Sequence, residues 1–180
     1  RWGVPYAMSL FAQDKLDRGL AADAKELYAL IDRYWPEEFG AKAGMDAAEQ
    51  KIIDGLMNVG TDAAYEQAAL RAAAIGDTAR EEKAVIARAE LAAANGDTGA
   101  AEALLAPLED NEEAQSALRR LIYDVAKAAK EKLDYPTAIA RFDSLGDYED
   151  AAAQKTDSID LYGRQLMREG KYQAACDQFM

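Results

Sequence analysis

The sequence predicts an all-α fold, an α-solenoid of helix-turn-helix units, on three observations. Ala makes up roughly a fifth of the chain, well above its usual share, while only 4 Pro and 12 Gly interrupt 180 residues. Small and apolar residues recur at steps of three and four, the spacing of one helix face. The same pattern returns at a displacement of 37 residues, and self-similarity at a fixed period marks a solenoid.

Residues 1–81 keep the helical composition without a clean register. Helices are expected at about Pro5 to Asp17, Ala21 to Trp35, Asp46 to Val59 and Asp62 to Ile75. The breaks between and after them fall at "DRG", "WPEEFGAKAG", "NVGTD" and "IGDT", which carry the Gly, Pro and Asp that end helices. Leu27, Tyr28, Leu30, Ile31, Tyr34 and Trp35 form the most apolar face. This half is read as two degenerate hairpins stacked on the repeats, since terminal units of solenoids are commonly atypical.

Residues 82–180 carry the repeat as 82–118, 119–155 and a partial 156–180. Val85, Ala89, Ala92, Gly96, Thr98, Ala101, Leu105 and Leu108 of the first copy align with Ile122, Ala126, Ala129, Leu133, Tyr135, Ala138, Phe142 and Leu145 of the second. The third reads Ile159, Gly163, Leu166, Gly170, Tyr172, Ala175 and Phe179. Long first helices are expected at about Asn111 to Lys132 and Tyr148 to Glu169, with Asp110 and Asp147 as N-caps. Gly96 and Gly170 end such helices, because the left-handed conformation costs Gly nothing; Leu133 in their place predicts a different turn. Ala89, Ala126 and Gly163, with Ala101, Ala138 and Ala175, let backbones cross closely. Tyr135, Tyr172, Phe142 and Phe179 are expected to fill the gaps between neighbouring units.

The third copy, "IDLYGRQLMREGKYQAACDQF", resembles the tetratricopeptide repeat, with Gly163 after Tyr162 and the series Gly170, Tyr172, Ala175, Phe179. "FDSLGDYEDAAAQK" with "GKYQAACDQF" is similar to tetratricopeptide-like repeats of Gram-positive gut bacteria, often carried outside a membrane anchor. The resemblance covers about Glu82 to Met180 and implies a right-handed solenoid with a concave groove. The period of 37 exceeds the family's usual 34.

Composition narrows the chemistry. A formal charge of −12 argues against nucleic acid, whose phosphates need a basic stripe. The chain holds no His, so the commonest general base and metal ligand are missing, and it is read as a non-enzyme with no cofactor. Asp143, Asp147, Glu149 and Asp150 lack the spacing and central Gly of a calcium loop and are read as helix-start acids favoured by the macrodipole. Cys176 is read as a half-buried packing residue, and Gly96-Asp97-Thr98-Gly99 as a turn too short for a phosphate loop. No apolar run approaches the roughly 20 residues of a membrane span. Because the chain starts at Arg1, it is read as a processed form or a piece of something longer. Trp2 and Tyr6 beside Arg1 either flank a membrane span or open a helix.

One stripe remains. Arg120, Tyr123, Lys127 and Lys130 recur at steps of three, four and three, and Asp157, Asp160, Arg164 and Met167 occupy the matching places one repeat later. In a tetratricopeptide-like solenoid this stripe faces the groove, around an exposed Tyr123. The candidate peptide-binding residues are therefore Arg120, Tyr123, Lys127, Lys130, Asp160, Arg164 and Met167. The expected partner is a protein or peptide with an acidic segment or C-terminal carboxylate. The alternative is a spacer or regulatory ectodomain of a larger, membrane-anchored bacterial protein. The C-terminal end, where Tyr172 and Phe179 lack a covering unit, is expected either to pack on a second copy of the chain or to be followed by another helix or unit of a longer protein.

Overall fold

A computed structural model describes residues 3–179, with Phe179 described by its backbone alone. The readings of Trp2 as a membrane flank and of the Phe179 side chain and Met180 as an uncovered end lie outside the described residues. Among the described residues the chain is all helical: α1 Gly3–Asp17, α2 Ala21–Tyr34, α3 Ala41–Val59, α4 Asp62–Ala74, α5 Thr78–Ala94, α6 Thr98–Leu105, α7 Glu112–Glu131, α8 Tyr135–Leu145, α9 Ala151–Arg168 and α10 Tyr172–Phe179. No helix among them is long and apolar enough to cross a membrane. The chain forms two compact units, residues 1–91 and 92–180.

In the first unit α2 packs between α1 and α3, and α3 also packs on α4. Ala12, Leu16, Ala24, Tyr28, Ile31 and Ala48 form one buried cluster, and Ile53, Ala68, Ala72 and Ala84 another. The helix starting at α3 begins at Ala41, ahead of the expected Asp46, because the break closes at Gly40 with φ 64°. Gly44, expected in that break, lies within α3 against Tyr28. A Cβ there would stand 2.5 Å from the Tyr28 ring, so only Gly admits the buried aromatic. The Tyr28 hydroxyl donates to Gln13 Oε1 at 3.2 Å, and burial holds its pKa above the ordinary value. The Lys51 ammonium of α3 donates to the Leu16 carbonyl of α1 at 2.9 Å, an acceptor shared with the Gly19 N–H at 3.1 Å.

A buried carboxylate ties three helices of this unit. Glu49 of α3, 4% exposed, accepts from Lys25 of α2 and from Arg71 of α4, the latter at 2.6 Å. Burial pushes its pKa up, but the hydrogen bonds and charges of Lys25 and Arg71 outweigh burial and leave it below the ordinary value. Arg88 reinforces the same unit by gripping both oxygens of Asp62, at 2.6 and 3.2 Å.

In the second unit the turn that joins paired helices is built one way each time. The N–H of Asp97, Asp134 and Lys171 donates to the carbonyl of Ala92, Ala129 and Leu166, each at 2.9 Å, the bond of a Schellman ending. The residue before each donor is left-handed: Gly96 at φ 86°, Leu133 at 64° and Gly170 at 75°. The expectation of a different turn at Leu133 is therefore corrected. The hydrogen-bond pattern fixes the conformation, and Leu133 adopts it despite the steric cost of a Cβ.

The expected N-caps shift as well. Asn111, not Asp110, caps α7, its side chain accepting from the Ala114 N–H at 2.9 Å. Asp150, not Asp147, stands at the start of α9, and it makes no side-chain cap bond because other donors hold its carboxylate. The small positions are buried as the repeat requires: Ala101, Ala126 and Ala138 are 0% exposed and Ala175 2%, and Gly163 is buried too. Tyr135 and Phe142 are buried between helices, whereas Tyr172 is exposed. Cys176 is exposed, not half-buried, since it lies on the face of α10 turned away from Ala175.

Candidate functional site

The stripe singled out in the sequence lies on α7 and α9, within the second unit, and its members divide into three groups. Arg120 and Lys127 of α7 are exposed, and neither has an ion-pair partner among the described residues. Lys127 holds its ammonium 5.5 Å from the centroid of the Tyr123 ring, a cation-π distance.

Tyr123 and Lys130 instead tie α7 to α9. Tyr123 is half-buried, packed edge-on to Phe142 and Tyr148 with centroids 5.9 Å away in both cases. Its hydroxyl donates to Asp150 Oδ1, which pushes the phenol pKa up to about 12. Asp150 also accepts from Gln154 at 2.9 Å, and these two donors, Gln154 first, hold its carboxyl below the ordinary range. The expectation of an exposed Tyr123 is thus corrected: the ring is half-buried in the packing against Phe142 and Tyr148, with the Lys127 ammonium over it. Lys130 donates to Gln154 Oε1 at 2.7 Å and to Asp157 Oδ2 at 2.5 Å.

The α9 members form the third group. Asp160 and Arg164 pair along the helix at 2.8 Å, and Met167 is 46% exposed. Of the four cations expected on the stripe, two are spent on internal pairs, and two, Arg120 and Lys127, stay available to a ligand. Two charges seven residues apart on one helix stand two turns apart on the same side. They suit two acidic groups along an extended or helical segment better than one small anion.

Two of the four clustered acids, Asp143 and Asp150, are engaged by side-chain donors. Asp143 pairs with Lys155 at 2.5 Å, and Asp150 serves Tyr123 and Gln154. Among the described residues no three acidic or Cys side chains are placed to hold a metal ion. Sequence reasoning reads Asp150 only as a helix-start acid and passes over Gln154 and Glu49. A signal for the first existed: Tyr123 to Asp150 and Lys130 to Asp157 are both donor-to-acid pairs 27 residues apart. That shared offset registers α7 against α9. Comparison with family models, with curated proteins and with solved structures gives no match.

Proposed function

We propose that this chain is a non-catalytic helical-repeat module that binds a protein or peptide segment along the exposed face of α7. In this reading residues 82–180 are units of a right-handed, tetratricopeptide-like α-solenoid, and the face of α7 lines its groove. The observation that carries the proposal is the pair Arg120 and Lys127, exposed and without ion-pair partners in a chain of net charge −12. Local positive charge on an acidic protein attracts a segment with its own negative feature while the remainder repels non-specific anions. The partner is an acidic segment or a C-terminal carboxylate, and the repeated phosphates of nucleic acid are disfavoured. Arg164 and Lys130 are paired with Asp160 and Asp157 and add no net positive charge to this face.

The test is selection from a random peptide library by the parent chain and by an Arg120→Glu, Lys127→Glu variant, at low and moderate salt. Acidic peptides are expected to be enriched by the parent, to lose affinity as salt rises, and to lose at least about tenfold on charge reversal. Equal enrichment by both proteins would remove the groove assignment and leave the spacer or ectodomain reading.

A further inference from the structure

α7 buries Ala114, Ala126 and Ala129 and turns a charged stripe outward. Arg120, Asp124, Lys127 and Glu131 follow one another along it at steps of four, three and four, with alternating sign. All four are exposed, and none has an ion-pair partner among the described residues. Arg120 with Asp124, and Lys127 with Glu131, have the spacing of an intrahelical pair, but the cation comes first, the weaker order against the helix dipole. On α9 the order is reversed, and Asp160 closes on Arg164 at 2.8 Å. The α7 stripe therefore presents two unanswered cations and two unanswered acids side by side.

The stripe is also a palindrome of charge. Opposite signs stand at equal distances from its midpoint, which falls between Val125 and Ala126: Arg120 mirrors Glu131, and Asp124 mirrors Lys127. We propose that the acidic segment bound along α7 is the α7 of a second copy of this chain, the two helices lying antiparallel about a two-fold axis at that midpoint. This rests on the reading of α7 as a binding face and names its partner. Asp124 and Glu131 are seven residues apart, as Arg120 and Lys127 are, so both pairs span about 10 Å along their helices. Run antiparallel, each cation meets an acid and each acid a cation, and by symmetry every contact is made twice. A parallel pair in register would set like charges together, and a parallel pair shifted to avoid this would not close. The stripe itself sums to zero, so the −12 of each chain is carried elsewhere. At about 0.15 M salt, exposed charges more than about 8 Å apart are largely screened.

The experiment is sedimentation of the full chain over a range of concentrations at moderate salt. A reversible dimer is expected. Arg120→Glu sets acid against acid twice per dimer and is expected to weaken it about tenfold. Adding Glu131→Arg, which exchanges the two charges, should restore the parent's Kd. Adding Asp124→Lys in place of Glu131→Arg gives the same net charge and should restore nothing. All these positions are exposed, so unchanged melting curves are expected and confirm that each variant is folded. A parent that stays monomeric while it still selects acidic peptides from the library would overturn this inference and leave α7 as a peptide site. A parent that stays monomeric and selects none would take both readings away. A dimer indifferent to Arg120→Glu, or rescued by Asp124→Lys and not by Glu131→Arg, would overturn the antiparallel pairing.

Discussion

The two compact units close Ala-rich helices on one another with different means. In residues 1–91 the closures occur once each: Gly44 against the Tyr28 ring, and Glu49 held between Lys25 and Arg71. In residues 92–180 they recur: Ala at matching close approaches of paired helices, and a donor on α7 tied to an acid 27 residues on at two places. A contact made once can afford unusual chemistry, such as a buried charge. A contact that recurs has to be built from side chains that tolerate every setting in which the repeat places them.

The sharpest way to break this contrast is to strip the Glu49 clasp. Lys25→Ala with Arg71→Ala leaves a buried carboxylate without a cation, and the expected loss is about 3 kcal/mol, the low end for a broken buried pair because both cations also reach solvent. Adding Glu49→Leu should recover most of it, since an apolar side chain carries no charge to leave unpaired. Chemical denaturation of the three variants checks this. A folded pKa below the ordinary 4.5 means that the clasp contributes at pH values above 4.5 and loses its contribution as pH falls through the folded value. The parent should therefore lose stability on acidification below that point more steeply than the variant with Glu49→Leu.

Next in size is Gly44→Ala. With a Cβ 2.5 Å from a ring that is only 4% exposed, either Tyr28 or α3 has to shift, and the expected loss is about 1–3 kcal/mol, read as a lowered urea midpoint. The smallest effect has the opposite sign. Leu133 is left-handed and 62% exposed, so Leu133→Gly removes strain while giving up little packing. A gain of about 0.5–1 kcal/mol is expected after the entropy cost of Gly, and none from Leu133→Ala, which keeps the Cβ. A thermal midpoint that fails to rise in the Gly variant would mean that the turn is not strained.

The same contrast explains what could be read from residues alone. Helix periodicity and the 37-residue displacement identify Ala101, Ala138 and Ala175 as small positions because each is repeated in a legible register. The Gly44 approach and the Glu49 clasp leave no such trace, since Gly resembles a break and Glu a surface residue until the partner helix is in place. Cap positions slipped from Asp110 to Asn111 and from Asp147 to Asp150 because several neighbouring side chains are competent caps, and backbone geometry chooses among them. At the candidate site the cationic stripe was legible, but not its division. Lys130 is paired through the register of α7 against α9, visible only in the 27-residue offset, whereas Arg164 pairs with Asp160 on its own helix. Tyr123 differs from expectation for a related reason: on one helix it continues a polar stripe, and only the approach of Phe142 and Tyr148 turns it inward.

The most direct measurement of the repeat as a packing unit is the thermal and urea stability of Ala138→Leu beside Ala140→Leu. The two positions are neighbours on α8, the first 0% exposed and the second exposed, and both substitutions replace one strong helix former with another. Ala138→Leu is expected to cost about 1–3 kcal/mol, because a larger side chain at a close crossing pushes the backbones apart, while Ala140→Leu leaves stability unchanged. Equal midpoints for the two variants would contradict the placement of Ala138 at a crossing, and with it the equivalence of Ala101, Ala138 and Ala175.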